Sequence, residues 1–243
     1  KGDLLLARAK PISNFGNAPD APKDRLDDLR DEARARLQRV QQQQPLSQSA
    51  RYLWQLNPQQ NYAIVVDTSK STLYLFRNVN GEARYVEDFY ISVGKKGSDK
   101  VVEGDQKTPL GVYFIDSYLS KNQLTDFYGS GAYPLNYPNE WDKRQGRNGH
   151  GIWLHGTPSD TYSRPPLASN GCVVLANNDL THLGKSLQVG LTPVIITNNV
   201  AEFRDFWRPL LPLDELFDVV IDSSEVGMRK PDPRIYELAL EQL

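Results

Sequence analysis

The chain has 243 residues, 39% of them hydrophobic and 24% charged, a balance that allows a packed core. A formal net charge of −2 gives no global electrostatic reason for nucleic acid or an anionic membrane as the main partner. No apolar run approaches the ~20 residues that span a bilayer, and no group of His, Cys, Asp and Glu has metal-ligand spacing, so neither stable membrane insertion nor a bound metal is expected.

Residues 1–23 hold three prolines and small polar residues without a period, which reads as an extended lead-in. From Asp24 to Gln44, Leu26, Leu29, Ala33, Leu37 and Val40 recur at three and four. This predicts an amphipathic helix whose charges form a solvated face. The run QQQQP (41–45) ends it in a linker. After residue 60 the period becomes strand-like, and YAIVVDTSKSTLYLFRN (62–78) predicts a hairpin around Asp67 to Ser71. YVEDFYISVG (85–94), GVYFIDSYL (111–119), GIWLHG (151–156), GCVVLA (171–176) and TPVIIT (192–197) add short strands, with a short helix in NNDLTHLGKSL (177–187). Many short strands between Gly, Pro and Asn predict a mainly β sandwich or mixed sheet. Beyond Thr197, EFRDFWRPLL, DELFDVVIDSS and PRIYELALEQL read helix, strand, helix, a short α/β tail. The expected organisation is an N-terminal extension (1–59), a β-rich domain (60–197) and a C-terminal segment (198–243). Lys1 in place of a methionine, and an apolar helix face that breaks off at Leu243, read as a trimmed chain from which any export signal is missing.

Cys172 is the sole cysteine, so it makes no intramolecular disulfide; it is either a buried small hydrophobe or a nucleophile. A nucleophilic thiol needs a partner to take its proton, and His155 stands 17 positions upstream, closing the strand GIWL ahead of Gly156. Cys172 follows Gly171, where the backbone can turn sharply and its N–H groups can hold an oxyanion. Ser169 either orients His155, donates to that oxyanion, or only caps the turn.

The stretch from His155 through Ser169, Asn170, Gly171 and Cys172 resembles the signature of the YkuD-type L,D-transpeptidases. EGDQKTPLGVY (103–113) is similar to a second block of that family, and together the resemblance covers residues 60–197. It favours the nucleophile reading of Cys172 and implies a mixed sheet around an active-site cleft. It also implies export to the periplasm or cell envelope, peptidoglycan stem peptides as partners, and no cofactor. Cys172 would attack the carbonyl of the L-centre of a diamino acid, release a terminal D-alanine and hold the stem as a thioester. His155 would serve as base and then acid, with Ser169, Asn170 and Gly171 around the oxyanion. Resolution by an amine gives an L,D-transpeptidase, and resolution by water gives an L,D-carboxypeptidase.

Asn170 stands where the family usually has histidine, and Val174 where it often has arginine. Should these departures disable the site, the domain is a silent envelope-binding module. Arg164 is the candidate to supply the missing charge to a stem carboxylate, and Gly156 adds to the substrate-binding surface. Trp153 and Tyr162 either pack against a glycan or stem or belong to the core. The insert containing YGSGAYPLNYPNEW is expected as a lid or cleft wall. His150 reads as a loop residue and His182 as a surface helix residue; Lys95, Lys96 and Lys107 are able to attract carboxylates, with solvated surface the simpler reading for Lys95 and Lys96. The oligomeric state has no signal in the sequence.

From about residue 195 the chain resembles the middle of a haloacid-dehalogenase-type hydrolase, with Thr197 and Lys230 at its phosphate-binding positions. That chemistry needs an aspartate nucleophile on an earlier strand. Asp67 in IVVDTS lacks the second aspartate two residues on and leads into another strand, so such a site is incomplete.

Overall fold

Strand β1 (Tyr62–Asp67) is apolar from Ala63 to Val66 because both of its faces are covered. Ile64 and Val66 point into the main core, whereas Ala63 and Val65 join a second cluster with Leu53, Leu56, Phe76 and Ile195. The computed structural model describes residues 26–41, 53, 56–161, 163–197, 234 and 241. By chain contacts the protein divides into two units, Lys1–Val200 and Ala201–Leu243; in the second, the described residues Arg234 and Glu241 are helical.

The predicted hairpin forms: β1 pairs antiparallel with β2 (Thr72–Val79), which pairs with β3 (Glu82–Tyr90). The turn is set by Asp67, whose Oδ1 accepts from the Ser69 N–H at 3.0 Å, the Ser69 hydroxyl at 2.7 Å and the Lys70 N–H at 3.2 Å. Asp67 is thus a turn former here. On the other side β1 runs parallel to β11 (Pro193–Thr197), which pairs with β5 (Gly111–Phe114), giving the order β3-β2-β1-β11-β5.

A second sheet, in the order β10-β8-β7-β6, closes the other side of the core. Its strands are β6 (Leu119–Ser120), β7 (Gly131–Pro134), β8 (Trp153–His155) and β10 (Val173–Val174). Beside it β4 (Val93–Gly94) pairs parallel with β9 (Leu167–Ser169), and a Ser92 to Val174 bridge joins the pair to β10. The fold is mainly β, as the turn-rich sequence predicts.

Helix α1 (Leu26–Gln41) forms where the three-and-four spacing places it, but its charges do more than face solvent. Arg39 Nη1 reaches Asp88 Oδ1 at 2.7 Å, Arg36 lies 4.5 Å over the Tyr90 ring, and Glu32 Oε2 accepts from the Arg164 N–H at 2.6 Å. These pairs tie α1 to the sheet edge and to the loop ahead of β9. The expected solvated face is corrected by this docking: arginine stems cover apolar and aromatic surface while their heads find acceptors. Short helices α2 (Glu140–Arg144) and α3 (Asn177–Leu183) and three single 3-10 turns complete the first unit's described elements, and no described helix is long and apolar enough to cross a membrane.

Candidate active site

Two parallel strands bring the chemistry together. In the β8 and β10 pairing, Val173 stands opposite Leu154 and Val174 opposite His155. Ile152, Leu154, Val173 and Leu175 point into the main core. Side chains alternate along a strand, so Trp153, His155, Cys172 and Val174 share the opposite face. That face is the floor of a cleft of about 730 Å³, which Cys172 and His155 both line. The spacing of 17 residues between them is therefore the length of loop and β9 needed to return to a neighbouring parallel strand.

The turn carrying Cys172 is held by side chains. Ser169 Oγ accepts from the Gly171 N–H at 3.0 Å and donates to the Cys172 carbonyl at 2.6 Å. Of the roles open to Ser169, the turn cap is the one its hydrogen bonds fill, and the Gly171 N–H is committed to it. Gly171 has φ +128°, and a Cβ there would lie 2.7 Å from the Lys107 carbonyl oxygen, so both conformation and space select glycine. The buried hydroxyl of Thr108 donates to the Gly171 carbonyl at 2.9 Å and accepts from the Gly94 N–H at 2.9 Å. This gives the KTP segment a local purpose that its sequence does not reveal. Nearby, Lys100 is buried with its ammonium 2.8 Å from Asp105 Oδ1. Asp105 in turn accepts from the Val101, Val102 and Lys107 N–H groups, and these bonds with Lys100 outweigh its desolvation and hold its carboxyl down at about 2.

His155 is only 3% exposed. Its Nδ1 lies 2.7 Å from the Gly156 carbonyl, which accepts only if Nδ1 carries the proton; Nε2 is then the basic nitrogen. Phe127 and Tyr128 pack their rings 5.8 and 5.2 Å from the imidazole, and Tyr128 also lies 4.8 Å from Trp153. Burial in this aromatic setting lowers the His155 pKa to about 4, against the smaller raising effect of the Gly156 carbonyl. The Cys172 thiol donates to the Gly151 carbonyl at 3.3 Å. Burial pushes it up to about 11, opposed by a backbone hydrogen bond from Trp153 and by the charge of Lys100. Both shifts favour the neutral forms, thiol and imidazole.

The remaining predicted site residues fall into different places. Asn170 is exposed at the cleft rim, its Oδ1 3.5 Å from Gln106 Nε2. Gly156 is buried: its N–H donates to the Tyr128 carbonyl at 3.1 Å, and a Cβ there would collide with Asn177 Oδ1. Trp153 is half-buried and lines the cleft. Tyr162 lies outside the described residues. Arg164 lines the cleft, but its guanidinium is 2.6 Å from the Val174 carbonyl and 3.3 Å from that of Tyr90, with the Tyr90 ring 4.6 Å beneath it. Expected as a partner for a substrate carboxylate, it instead spends its donors on backbone: a guanidinium buried at this wall needs acceptors, and the Tyr90 carbonyl and the Val174 carbonyl, which also accepts from the Ser92 N–H, supply them. Of the histidines, His182 pairs with Glu87 on the surface of α3, and His150 with Glu103 at the cleft rim.

Sequence reasoning passed over Phe127, Tyr128, Thr108 and Asn177. Asn177 ties the two cleft loops together, its Oδ1 accepting from the Ser130 and Thr157 N–H groups at 2.9 and 3.1 Å. The advance signals were the block EGDQKTPLGVY, which contains Thr108, and the aromatic, glycine-rich insert between Pro109 and His155, expected as a lid or cleft wall.

The model of the YkuD family, the L,D-transpeptidase catalytic domain, matches residues 61–196. The chain belongs to this family. Among solved structures, it is similar to Bd1075 of Bdellovibrio bacteriovorus at 30% identity and TM-score 0.53, over 65% of this chain and 59% of that one. It is also similar to the helical cell shape determining protein Pgp2 of Campylobacter jejuni at 29% identity and TM-score 0.52, over 57% of this chain and 48% of the other. The chain thus spans about half to three-fifths of the lengths of these relatives. A haloacid dehalogenase-like hydrolase model matches residues 179–243. A 55-residue stretch is 44% identical to mouse acyl-CoA dehydrogenase family member 10, covering 22% of this chain and 5% of that protein. Thr197 closes β11 opposite Asp67, and Lys230 lies outside the described residues.

Proposed function

We propose that this domain is a peptidoglycan L,D-transpeptidase of the bacterial periplasm or cell envelope, with Cys172 as nucleophile and His155 as its base. The observation that carries the reading is the register of β8 and β10, which sets both side chains on the floor of one cleft. The donor is a tetrapeptide stem. As the thiol sulfur bonds to the carbonyl carbon of the L-centre, its proton passes to His155 Nε2, and the carbonyl oxygen takes the negative charge. Collapse of the tetrahedral intermediate breaks the C–N bond, and the imidazolium gives its proton to the departing D-alanine amine. An amine from a second stem then attacks the thioester, with His155 again accepting the proton, and Cys172 leaves as the thiol.

The neutral resting pair suits this sequence. A thiol near 11 and an imidazole near 4 keep charge off the cleft floor until a substrate carbonyl arrives. The proton then moves during attack, when the developing oxyanion offsets the developing imidazolium. Gly171 and Ser169 act by fixing the thiol-bearing turn, and Asn170, at the rim, faces the incoming stem.

The test is intact mass after incubation with a disaccharide tetrapeptide, for the wild type and Cys172→Ala, with free D-alanine and dimeric muropeptides measured. The expected result is a stem-sized adduct and D-alanine release in the wild type alone, with cross-linked dimer exceeding tripeptide. Tripeptide without dimer would make the domain an L,D-carboxypeptidase. A folded protein that yields neither adduct nor D-alanine would make it a silent envelope-binding module.

A further inference from the structure

The charges around the cleft do not match those of the chain. Overall the formal charge is −2, yet the side chains lining the cleft include the cations Lys95, Lys100 and Arg164 and the single carboxylate Glu103. Glu103 faces His150, 3.3 Å away, at the exposed rim. With Lys100 ion-paired to Asp105, and Glu103 at the rim, the cleft keeps a small surplus of positive charge, which favours anionic ligands.

The three cations differ in what they are free to do. Lys100 is bound to Asp105 and to the Val102 carbonyl, at 2.8 and 2.9 Å. Arg164 is bound to the carbonyls of Val174 and Tyr90. The Lys95 ammonium alone among the three has neither a hydrogen bond nor an ion pair within the described residues.

Its backbone, by contrast, is fixed against the catalytic turn. The Lys95 N–H donates to the Ser169 carbonyl at 2.8 Å, three residues before Cys172. The preceding Gly94 is held by Thr108, the same hydroxyl that holds Gly171, and a Cβ on Gly94 would lie 2.5 Å from the Gln106 carbonyl oxygen. A rigid anchor thus carries a flexible, exposed four-carbon stem with an unsatisfied charge on it, at the same cleft that Cys172 lines.

We propose that Lys95 is a specificity-determining residue that reads a free carboxylate of the acyl donor next to the attacked carbonyl. This rests on the acyl-transfer reading above. The donor stem offers two such groups, the C-terminal carboxylate of the leaving residue and the carboxylate on the side chain of the diamino acid. Lys95 holds one of them by a charge-assisted hydrogen bond that a neutral amide does not replace.

The test compares wild type, Lys95→Ala and Lys95→Arg on three donors: the free tetrapeptide stem, the stem amidated at its C-terminus, and the stem amidated at the diamino acid side chain. D-alanine or alaninamide release gives kcat and KM. In parallel, calorimetry reads binding of the same donors to Cys172→Ala with and without Lys95→Ala, which needs no turnover. Lys95→Ala is expected to lower kcat/KM on the free stem about tenfold to a hundredfold, through KM. Lys95→Arg retains most of the activity. On one of the two amidated stems, wild type and Lys95→Ala become equal, and which one identifies the carboxylate that is read. An equal loss on all three donors, no loss on any, or calorimetric affinities unchanged by Lys95→Ala would overturn the assignment. Turnover that survives Cys172→Ala, or donors that bind without ever being acylated, would instead overturn the acyl-transfer reading, and the binding comparison would still decide the role of Lys95.

Discussion

The two sheets hold their shape by different means. In the five-stranded sheet, β1 pairs with its neighbours over six and four residues, and its side chains are buried on both faces. The cleft sheet is made of strands two to four residues long, and its geometry is completed by polar side chains reaching backbone: Ser169, Thr108, Asn177 and Arg164. Apolar burial is strong but non-directional, and suits a scaffold. Hydrogen bonds contribute less net free energy each, but fix distance and angle, which is what a thiol and an imidazole on neighbouring strands require.

If that division is right, substitutions in the two regions should fail differently. The largest effect belongs to the cleft floor. His155→Gln removes the proposed base and should slow acylation about a hundredfold to ten-thousandfold, as followed by stopped-flow or mass spectrometry. Leu73→Ala empties a fully buried position of the five-stranded sheet and should cost about 2–5 kcal/mol of stability. Denaturant unfolding checks that, and the acylation rate of the folded fraction should be unchanged. Thr108→Val leaves the Gly94 N–H and the Gly171 carbonyl without their shared partner. It should cost about 1–3 kcal/mol and, unlike Leu73→Ala, lower the acylation rate of protein that remains folded. Ser169→Ala, which loses two local bonds at a partly exposed turn, should cost about 1 kcal/mol with a slower acylation that Ser169→Thr restores. Equal rate losses for Leu73→Ala and Thr108→Val would dissolve the distinction.

The same division accounts for how much could be read from the sequence. β1 and β11 were legible because a continuous apolar run that short, bounded by turn residues, suits a buried strand and not a helix, and the hairpin because Asp67 and Ser69 signal a turn. Cys172 and His155 stood out as reactive side chains at glycine-flanked strand ends. Thr108 was not legible as a brace, since its acceptor on Gly171 is 63 residues away and a threonine before a proline has many uses. The aromatic packing of Phe127 and Tyr128 on His155 depends on how a loop folds back, for which no periodicity exists. Arg164 shows a further limit. Its charge was visible, but its direction follows from the Val174 and Tyr90 carbonyls that only the folded backbone brings to it. The arginines of α1 misled in the same way, since a charged helix face gives no sign of the Asp88 and Tyr90 that receive it.

The central claim is that thiol and imidazole rest neutral and that the proton moves only as the carbonyl is attacked. The most direct measurement is the pH dependence of Cys172 alkylation by iodoacetamide, in the wild type and in His155→Ala. Alkylation needs the thiolate, so with the thiol near 11 the rate should climb steadily from pH 6 to pH 10, staying below that of a free cysteine near neutrality, and should be little changed by His155→Ala. Catalytic acylation, by contrast, should stay level down to the acid limb set by His155 near 4. An alkylation plateau between pH 5 and 8 that disappears in His155→Ala would reveal a resting thiolate and imidazolium, and would contradict the account.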